Sequence, residues 1–355
     1  MIKKRIENLQ NSLEKTQAIL ITDANNRFYF TGFRSSAGEV LITKEKSYFF
    51  IDFRYFEKAK QQVSSSEVLL SKNLYSEISE ILKLLAVDTL LLENTITVSF
   101  FEQIKLRLEN FKVNSDKELT KKIIRMRSIK TEKEIAFLKE AQRLTDETFS
   151  YILDRIKEGT TEKEIMLDME FFIRKQGSEG VAFDFIVVSG KNSSLPHGVP
   201  TDKKIESGDF ITMDFGAVIN GYRSDMTRTV AVGSISEKQK EVYETVLKAQ
   251  KRALDFIKPD VECCTVDKIA RDIIANAGYG DCFGHGLGHS VGLDIHENPA
   301  CNTRDKTILK SGMIMTVEPG IYIENEFGVR IEDMVAVTEN GHCNLTKSPK
   351  QLIIL

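Results

Sequence analysis

The segment MDFGAVINGYRSDMTRT, residues 213–229, is a hairpin written into the sequence. Asn220-Gly221 suits a two-residue type I′ turn, which needs positive φ at both positions. Such a turn pairs 219 with 222, 217 with 224 and 216 with 225. Asp225 then lies opposite Gly216, on the same sheet face as its diagonal neighbour Asp214. Diagonal Cβ atoms are roughly 7–8 Å apart, and Gly216 is expected to leave the space between them open. Two carboxylates facing such a gap repel unless a cation fills it. The alternative is that both are solvated on an exposed strand face.

Further acids follow in strand-like surroundings. Glu318 closes the run GMIMTVEPG, which Pro319-Gly320 ends abruptly, and Glu332 sits in GVRIED between apolar neighbours. An acid in a buried strand needs a partner. Arg330 projects to the same face as Glu332 by the period-two rule, so an Arg330–Glu332 pair is one expectation. Three of the chain's five histidines, His285, His289 and His296, fall within FGHGLGHSVGLDIHE (283–297). The glycines at 284, 286, 288 and 292 are expected to let backbone pack tightly there. The HExxH zinc pattern is excluded, because His296-Glu297 is followed by Ala300 where the second histidine would stand.

Outward from these motifs, the 355-residue length favours two domains. The first ~120 residues alternate apolar runs (AILIT, EVLIT, SYFFID, TLLLE) with helical spacing at 76–87 and 100–111, an α/β pattern. Thr131/Glu134 and Thr161/Glu164, both within the letters TEKEI, form capping boxes that start two helices. After residue 180 come strands with glycine-bearing turns, interrupted by helices near 236–256 and 265–277: an α+β domain with antiparallel pairing. The expected domains are 1–124 and 125–355.

With 41% hydrophobic and 28% charged residues, the composition is that of a globular chain. A formal net charge of −3 gives no general pull toward nucleic acid or an anionic membrane. No apolar run reaches membrane-spanning length, and the basic N-terminus lacks the apolar stretch of a signal peptide. Five scattered cysteines without a CxxC pair read as reduced thiols and a cytoplasmic location.

Asp214 in DFGA, Asp225 in SDMTRT, His289 in HGLGHSVGLDIHE, Glu318 in VEPGIY and Glu332 in GVRIED resemble, in order, the ligand motifs of the pita-bread (creatinase/aminopeptidase fold) metallopeptidases, family M24. The likeness spans about 125–350. The N-terminal part resembles the creatinase/prolidase-type N-terminal domain, with NNRFYFTGF (25–33) as weaker support, which points to the Xaa-Pro branch of prolidase and aminopeptidase P. This resemblance implies two divalent metal ions bridged by Asp225 and Glu332, with Asp214 completing one and His289 and Glu318 the other. It implies that a bridging water or hydroxide attacks the peptide bond before proline. The hard, oxygen-rich ligand set favours Mn²⁺, with Co²⁺ or Zn²⁺ as alternatives. Glu318 would shuttle the proton. His197 would lie near the substrate, His296 would hydrogen-bond the substrate carbonyl or the tetrahedral oxyanion, and His285 would line the proline side. Tyr222 would support the substrate site, and Arg330 would orient Glu332. Only His342 is left over, as a surface turn residue. The implied partner is a proline-containing peptide, and relatives suggest a homodimer. A non-catalytic peptide-binding module and a creatinase-like C–N hydrolase are the competing readings.

Overall fold

The apolar runs of the first third assemble into one mixed sheet. The computed structural model describes residues 1–355, and the chain divides into units Met1–Met126 and Arg127–Leu355. The first unit has strands β1 (Gln17–Ile21), β2 (Glu39–Thr43), β3 (Ser47–Ile51), β4 (Glu67–Leu70), β5 (Thr89–Glu93) and β6 (Lys112–Asp116). Their order is β4-β3-β2-β1-β5-β6. The four central strands are the four apolar runs. The edge strands β4 and β6 escaped the sequence pattern because each has one neighbour and stays partly exposed. Helices Leu74–Leu84 and Val98–Arg107 bury Ile78, Leu82 and Ile104 with Leu20, Leu41, Phe50 and Leu90 of the sheet.

The second unit opens with helices Glu132–Leu153 and Glu162–Lys175, each started by its capping box. Glu134 Oε2 accepts from the Thr131 amide at 2.8 Å, and Glu164 Oε2 accepts from the Thr161 amide at 2.8 Å. There follow β7 (Ile186–Ser189), β8 (Phe210–Phe215), β9 (Val218–Ile219), β10 (Tyr222–Arg223) and β11 (Met226–Ala231). After helices Glu237–Phe256 and Cys263–Asn276 come β12 (Gly288–Ser290), β13 (Glu297–Cys301), β14 (Ile314–Val317), β15 (Gly320–Ile323), β16 (Phe327–Arg330), β17 (Asp333–Val337) and β18 (His342–Asn344). Pairing between these strands is antiparallel throughout, as expected. His342 departs from expectation. It opens β18 rather than sitting in the turn, with Nδ1 3.1 Å from the Ile257 carbonyl. No helix is long and apolar enough to cross a membrane.

The hairpin at 213–229 keeps the register the turn dictates. Asn220 has φ 46° and Gly221 φ 78°. Ile219 faces Tyr222, and the ladder resumes with Phe215 opposite Met226 and Asp214 opposite Thr227. Two residues intervene on each side, so no net bulge shifts Asp225. Gly216, however, does not hold a gap open between carboxylates. A Cβ there would lie 1.9 Å from the Ser224 carbonyl oxygen, so the glycine admits the neighbouring backbone instead.

Of the two long apolar runs of the C-terminal half, the first ends before Pro319-Gly320 as expected, whereas the second is broken where the sequence alone suggests a continuous strand. Glu318-Pro319 separates β14 from β15, and Ile331-Glu332 separates β16 from β17. Strands β14 and β17 share a three-stranded sheet with β18, whereas β15 and β16 pair only with each other. Acids therefore sit where the chain passes from one sheet to the next.

Because the obstacle at Gly216 is backbone, Gly216→Ala is expected to cost roughly 3 kcal/mol, the upper part of the over-packing range. Gly341→Ala, with open space around it, should stay within about 0.5 kcal/mol. Urea unfolding monitored by circular dichroism measures both.

Candidate functional site

Asp214 lies within β8, while Asp225, Glu318 and Glu332 occupy the breaks before β11, after β14 and before β17. Carboxylate oxygens of Asp214, Asp225 and Glu332 all come within 4.8 Å of one another. His289, in the centre of β12, brings Nε2 to 3.3 Å from Glu318 Oε1 and 3.6 Å from Asp225 Oδ2. All five residues expected as ligands thus converge. Gly288 permits this approach, since a Cβ there would lie 2.2 Å from the Thr316 carbonyl oxygen. Gly284, by contrast, has open space around it, so tight packing does not extend along the whole histidine segment.

Glu332 is fixed by β11. Its amide donates to the Thr227 carbonyl at 3.1 Å, and its Oε2 accepts from the Thr227 hydroxyl at 2.8 Å. The buried Arg228 donates to the Glu332 carbonyl at 2.5 Å and to Asp333 Oδ1 at 2.8 Å. Arg330 does not pair with Glu332. The break after β16 ends strict alternation, and Arg330 Nη2 donates to Asp214 Oδ2 at 2.6 Å. Its Nε donates to the Thr227 hydroxyl at 3.0 Å, so it reaches Glu332 only through that hydroxyl. Its Nη1 donates to the Pro196 carbonyl at 3.1 Å and to the Tyr322 hydroxyl at 2.8 Å.

The ligand-type residues open onto a cavity of about 1060 Å³, lined also by His197, His285, His296 and Arg330. His197 and His296 are exposed to it. His285 is engaged on both ring nitrogens, Nδ1 with the Gly286 carbonyl at 2.8 Å and Nε2 with the Tyr322 hydroxyl at 3.0 Å. The Gly286 carbonyl can only accept, so Nδ1 carries the proton of the neutral ring and Nε2 accepts from the Tyr322 hydroxyl. Tyr222 is not in the cavity wall. Its hydroxyl bonds Glu134 and its ring stacks on Phe137 at 5.9 Å, because β10 runs against the helix Glu132–Leu153.

Comparison with known proteins gives this geometry a family. Residues 136–339 match metallopeptidase family M24, and residues 5–129 match the creatinase/prolidase N-terminal domain. The chain belongs to metallopeptidase family M24. Over 99% of its length it is 41% identical to the Xaa-Pro dipeptidase of Pyrococcus furiosus, all of which is covered. It superimposes on an Xaa-Pro dipeptidase structure from Bacillus anthracis with TM-score 0.96 and 43% identity, both chains fully covered. An X-Pro aminopeptidase structure from Thermotoga maritima gives TM-score 0.91 and 37% identity, covering 98% of this chain and 100% of that one.

A metallopeptidase of this family works with divalent metal ions, and the residues present fit them. Asp214 Oδ1 and Glu332 Oε1 are buried with no hydrogen-bond partner, a costly arrangement for carboxylate oxygens facing other acids. His289 Nδ1 lies 3.1 Å from the Ser290 carbonyl. It must carry the proton there, which leaves Nε2 a bare acceptor aimed at Glu318. Two acceptors 3.3 Å apart require a proton or a cation between them. Sequence reasoning missed Thr227, Thr316 and Tyr322. Thr316 donates to Glu318 Oε1 at 3.1 Å. Thr227 was within reach, because the hairpin register that places Asp225 also sets Thr227 across from Asp214.

Without ions the site is electrostatically strained. Burial pushes Glu318 up to about 8, with Asp214 adding and Arg330 opposing. Burial, then Glu332, Asp214 and Glu318, raises Asp225 well above the usual carboxylate range. Burial, then Glu318 and Asp214, does the same to Glu332. Burial lowers His289 and His285 to about 4. Burial alone would lower Arg330, but Tyr322, Asp214 and Glu318 outweigh it and hold the guanidinium charged.

The sign of the pH dependence follows from these shifts. A carboxyl raised on folding binds its proton more tightly in the native state, so metal-free stability falls as pH rises toward 8. The lowered histidines act in the opposite sense, but only below about 6.5. The metal-free protein is expected to lose thermal stability from pH 6.5 to 8. A divalent ion should restore more at pH 8 than at 6.5, since its binding displaces protons. Thermal unfolding with and without chelator checks this; a flat metal-free profile would contradict it.

Proposed function

We propose that this chain is a dinuclear-metal peptidase that hydrolyses the Xaa-Pro bond, in dipeptides or at the N-terminus of peptides. The observation that carries the reading is the convergence of Asp214, Asp225, His289, Glu318 and Glu332 around two unpartnered buried oxygens at a cavity wall. In this reading Asp214, Asp225, His289, Glu318 and Glu332 would together hold the two ions. Mn²⁺ is the proposed metal, because four carboxylates and one imidazole make a hard donor set. When bound, such ions lower the pKa of water and polarise the scissile carbonyl.

The chain's own residues supply the rest. Water adds to the carbonyl carbon before proline, and Glu318 takes its proton. The same carboxyl gives that proton to the departing prolyl nitrogen as the C–N bond breaks, because an unprotonated amide nitrogen is too poor a leaving group. His296 and His197, exposed to the cavity, donate to the carbonyl oxygen as negative charge grows on it. Val181, Phe183, Phe185, Ile186 and Ile295 line the same cavity and offer apolar surface to the proline ring. His285, bonded through Tyr322 to Arg330, lines the proline side without being available to move a proton. Tyr222 acts on fold stability alone.

The two-domain division at 124/125, a homodimeric assembly and a cytoplasmic location complete the proposal. The Xaa-Pro dipeptidase names of the Pyrococcus and Bacillus relatives favour a dipeptidase, whereas the Thermotoga aminopeptidase keeps the longer-peptide alternative open.

An Xaa-Pro dipeptide and an Xaa-Pro tripeptide assayed side by side with Mn²⁺ test the substrate. Turnover of the dipeptide alone identifies a prolidase, and turnover of neither sinks the reading. Glu318→Gln is expected to lower kcat by roughly 10²–10⁴-fold, and His296→Ala by about 10²–10³-fold. Full activity in Glu332→Ala would refute the dinuclear site.

A further inference from the structure

The residue after His296 has no part in the chemistry above, yet it is among the most heavily bonded acids in the chain. Glu297 Oε1 accepts from the Leu293 amide at 3.0 Å, from the Asp294 amide at 3.2 Å and from Arg127. Its Oε2 accepts from Lys130 Nζ at 3.1 Å. Lys130, whose side chain is only 1% exposed, also donates to the Ser290 hydroxyl at 2.9 Å. A lone buried ammonium is costly, so this placement needs a reason.

The strand register supplies one. His289 faces Ala300, but the next residue, Ser290, faces Glu297. The ladder therefore skips two residues of β13 between them, an irregularity of the kind that re-aims side chains. Ser290 and Glu297 form the first pair beyond the irregularity, and Lys130 is bonded to both members. Ser290 adjoins His289, and Glu297 adjoins His296. The two imidazole rings stand 4.5 Å apart between centroids at 74°. The ladder is locally disrupted at such an irregularity, so the spacing of these rings depends on what holds the pair from outside.

We propose that Lys130, seated on the Ser290–Glu297 pair with Arg127 bracing Glu297, is a positioning residue that sets the distance between His289 and His296. The inference rests on the reading that His289 ligates a metal and His296 faces the substrate carbonyl. Lys130 then links metal site and substrate contact without touching either.

The test uses full-length protein with Lys130→Met and the milder Ser290→Ala, which removes one anchor and carries the test if the first fails to fold. With five histidines in the chain, long-range ¹H–¹⁵N spectra resolve each imidazole, with and without Zn²⁺ as a diamagnetic ion. Both variants are expected to move the His289 and His296 signals and leave those of His197 and His342 in place. On an Xaa-Pro dipeptide, kcat should fall roughly 10–100-fold, the range for groups that orient a metal site's residues. Most of that loss should vanish in a His296→Ala background. Unmoved His289 and His296 signals in a folded variant, or losses that multiply independently with His296→Ala, would overturn the proposal. Absence of any Xaa-Pro turnover in the unaltered protein would count against the enzymatic reading, while the imidazole spectra would still decide the clamp.

Discussion

Four carboxylates share one buried site with a single guanidinium. Asp225 and Glu332 are 4% and 1% exposed, and their oxygens stand within 4.8 Å of one another and of Asp214. Like charges at that separation in a poorly polarisable interior repel strongly, and Arg330 offsets only one of four. The fold tolerates this because the surrounding strands give the acids little freedom to move apart. Proton uptake is one way to relieve the repulsion and bound cations are another, and the two compete. The raised carboxyls and the metal sites are thus two views of a single electrostatic constraint.

Strand β11 holds that constraint in place. Its hydroxyls and Arg228 reach across to the segment 330–333, where Thr229 accepts from the Arg330 amide at 3.2 Å and donates to the Arg330 carbonyl at 3.0 Å. Side chains thus replace a backbone ladder where two sheets separate, and Glu332 and Asp225 are fixed on adjoining segments. Arg228 is itself balanced by Asp333, which Lys350 also bonds at 2.5 Å. Buried ion pairs of this kind contribute little net stability. Their geometric effect is to aim Glu332, and the Lys130–Glu297 pair has the same relation to the histidine segment.

Much of the site was legible because chemistry and local geometry coincided. Asn220-Gly221 defined the turn, the turn defined the register, and the register put Asp214 and Asp225 on one face. The motif likeness supplied His289, Glu318 and Glu332 in order. What failed were inferences about partners. Strict alternation offered an Arg330–Glu332 pair, but the break after β16 ends that alternation. Tyr222 was given to the substrate, although its strand lies against a helix. Gly216 was read as an opening between acids, although it makes room for the Ser224 backbone.

The sequence by itself determined the capping boxes, the central strands of the first sheet and the hairpin, because these depend on neighbours a few positions apart, and the motif likeness named the residues that converge. Only the tertiary structure decided which cation meets which acid, which imidazole is free to reach a substrate, and where β16 gives way to β17. Those outcomes depend on backbone approach between segments distant in the chain, such as Gly288 against Thr316 and Thr227 against Glu332, and no local pattern encodes them.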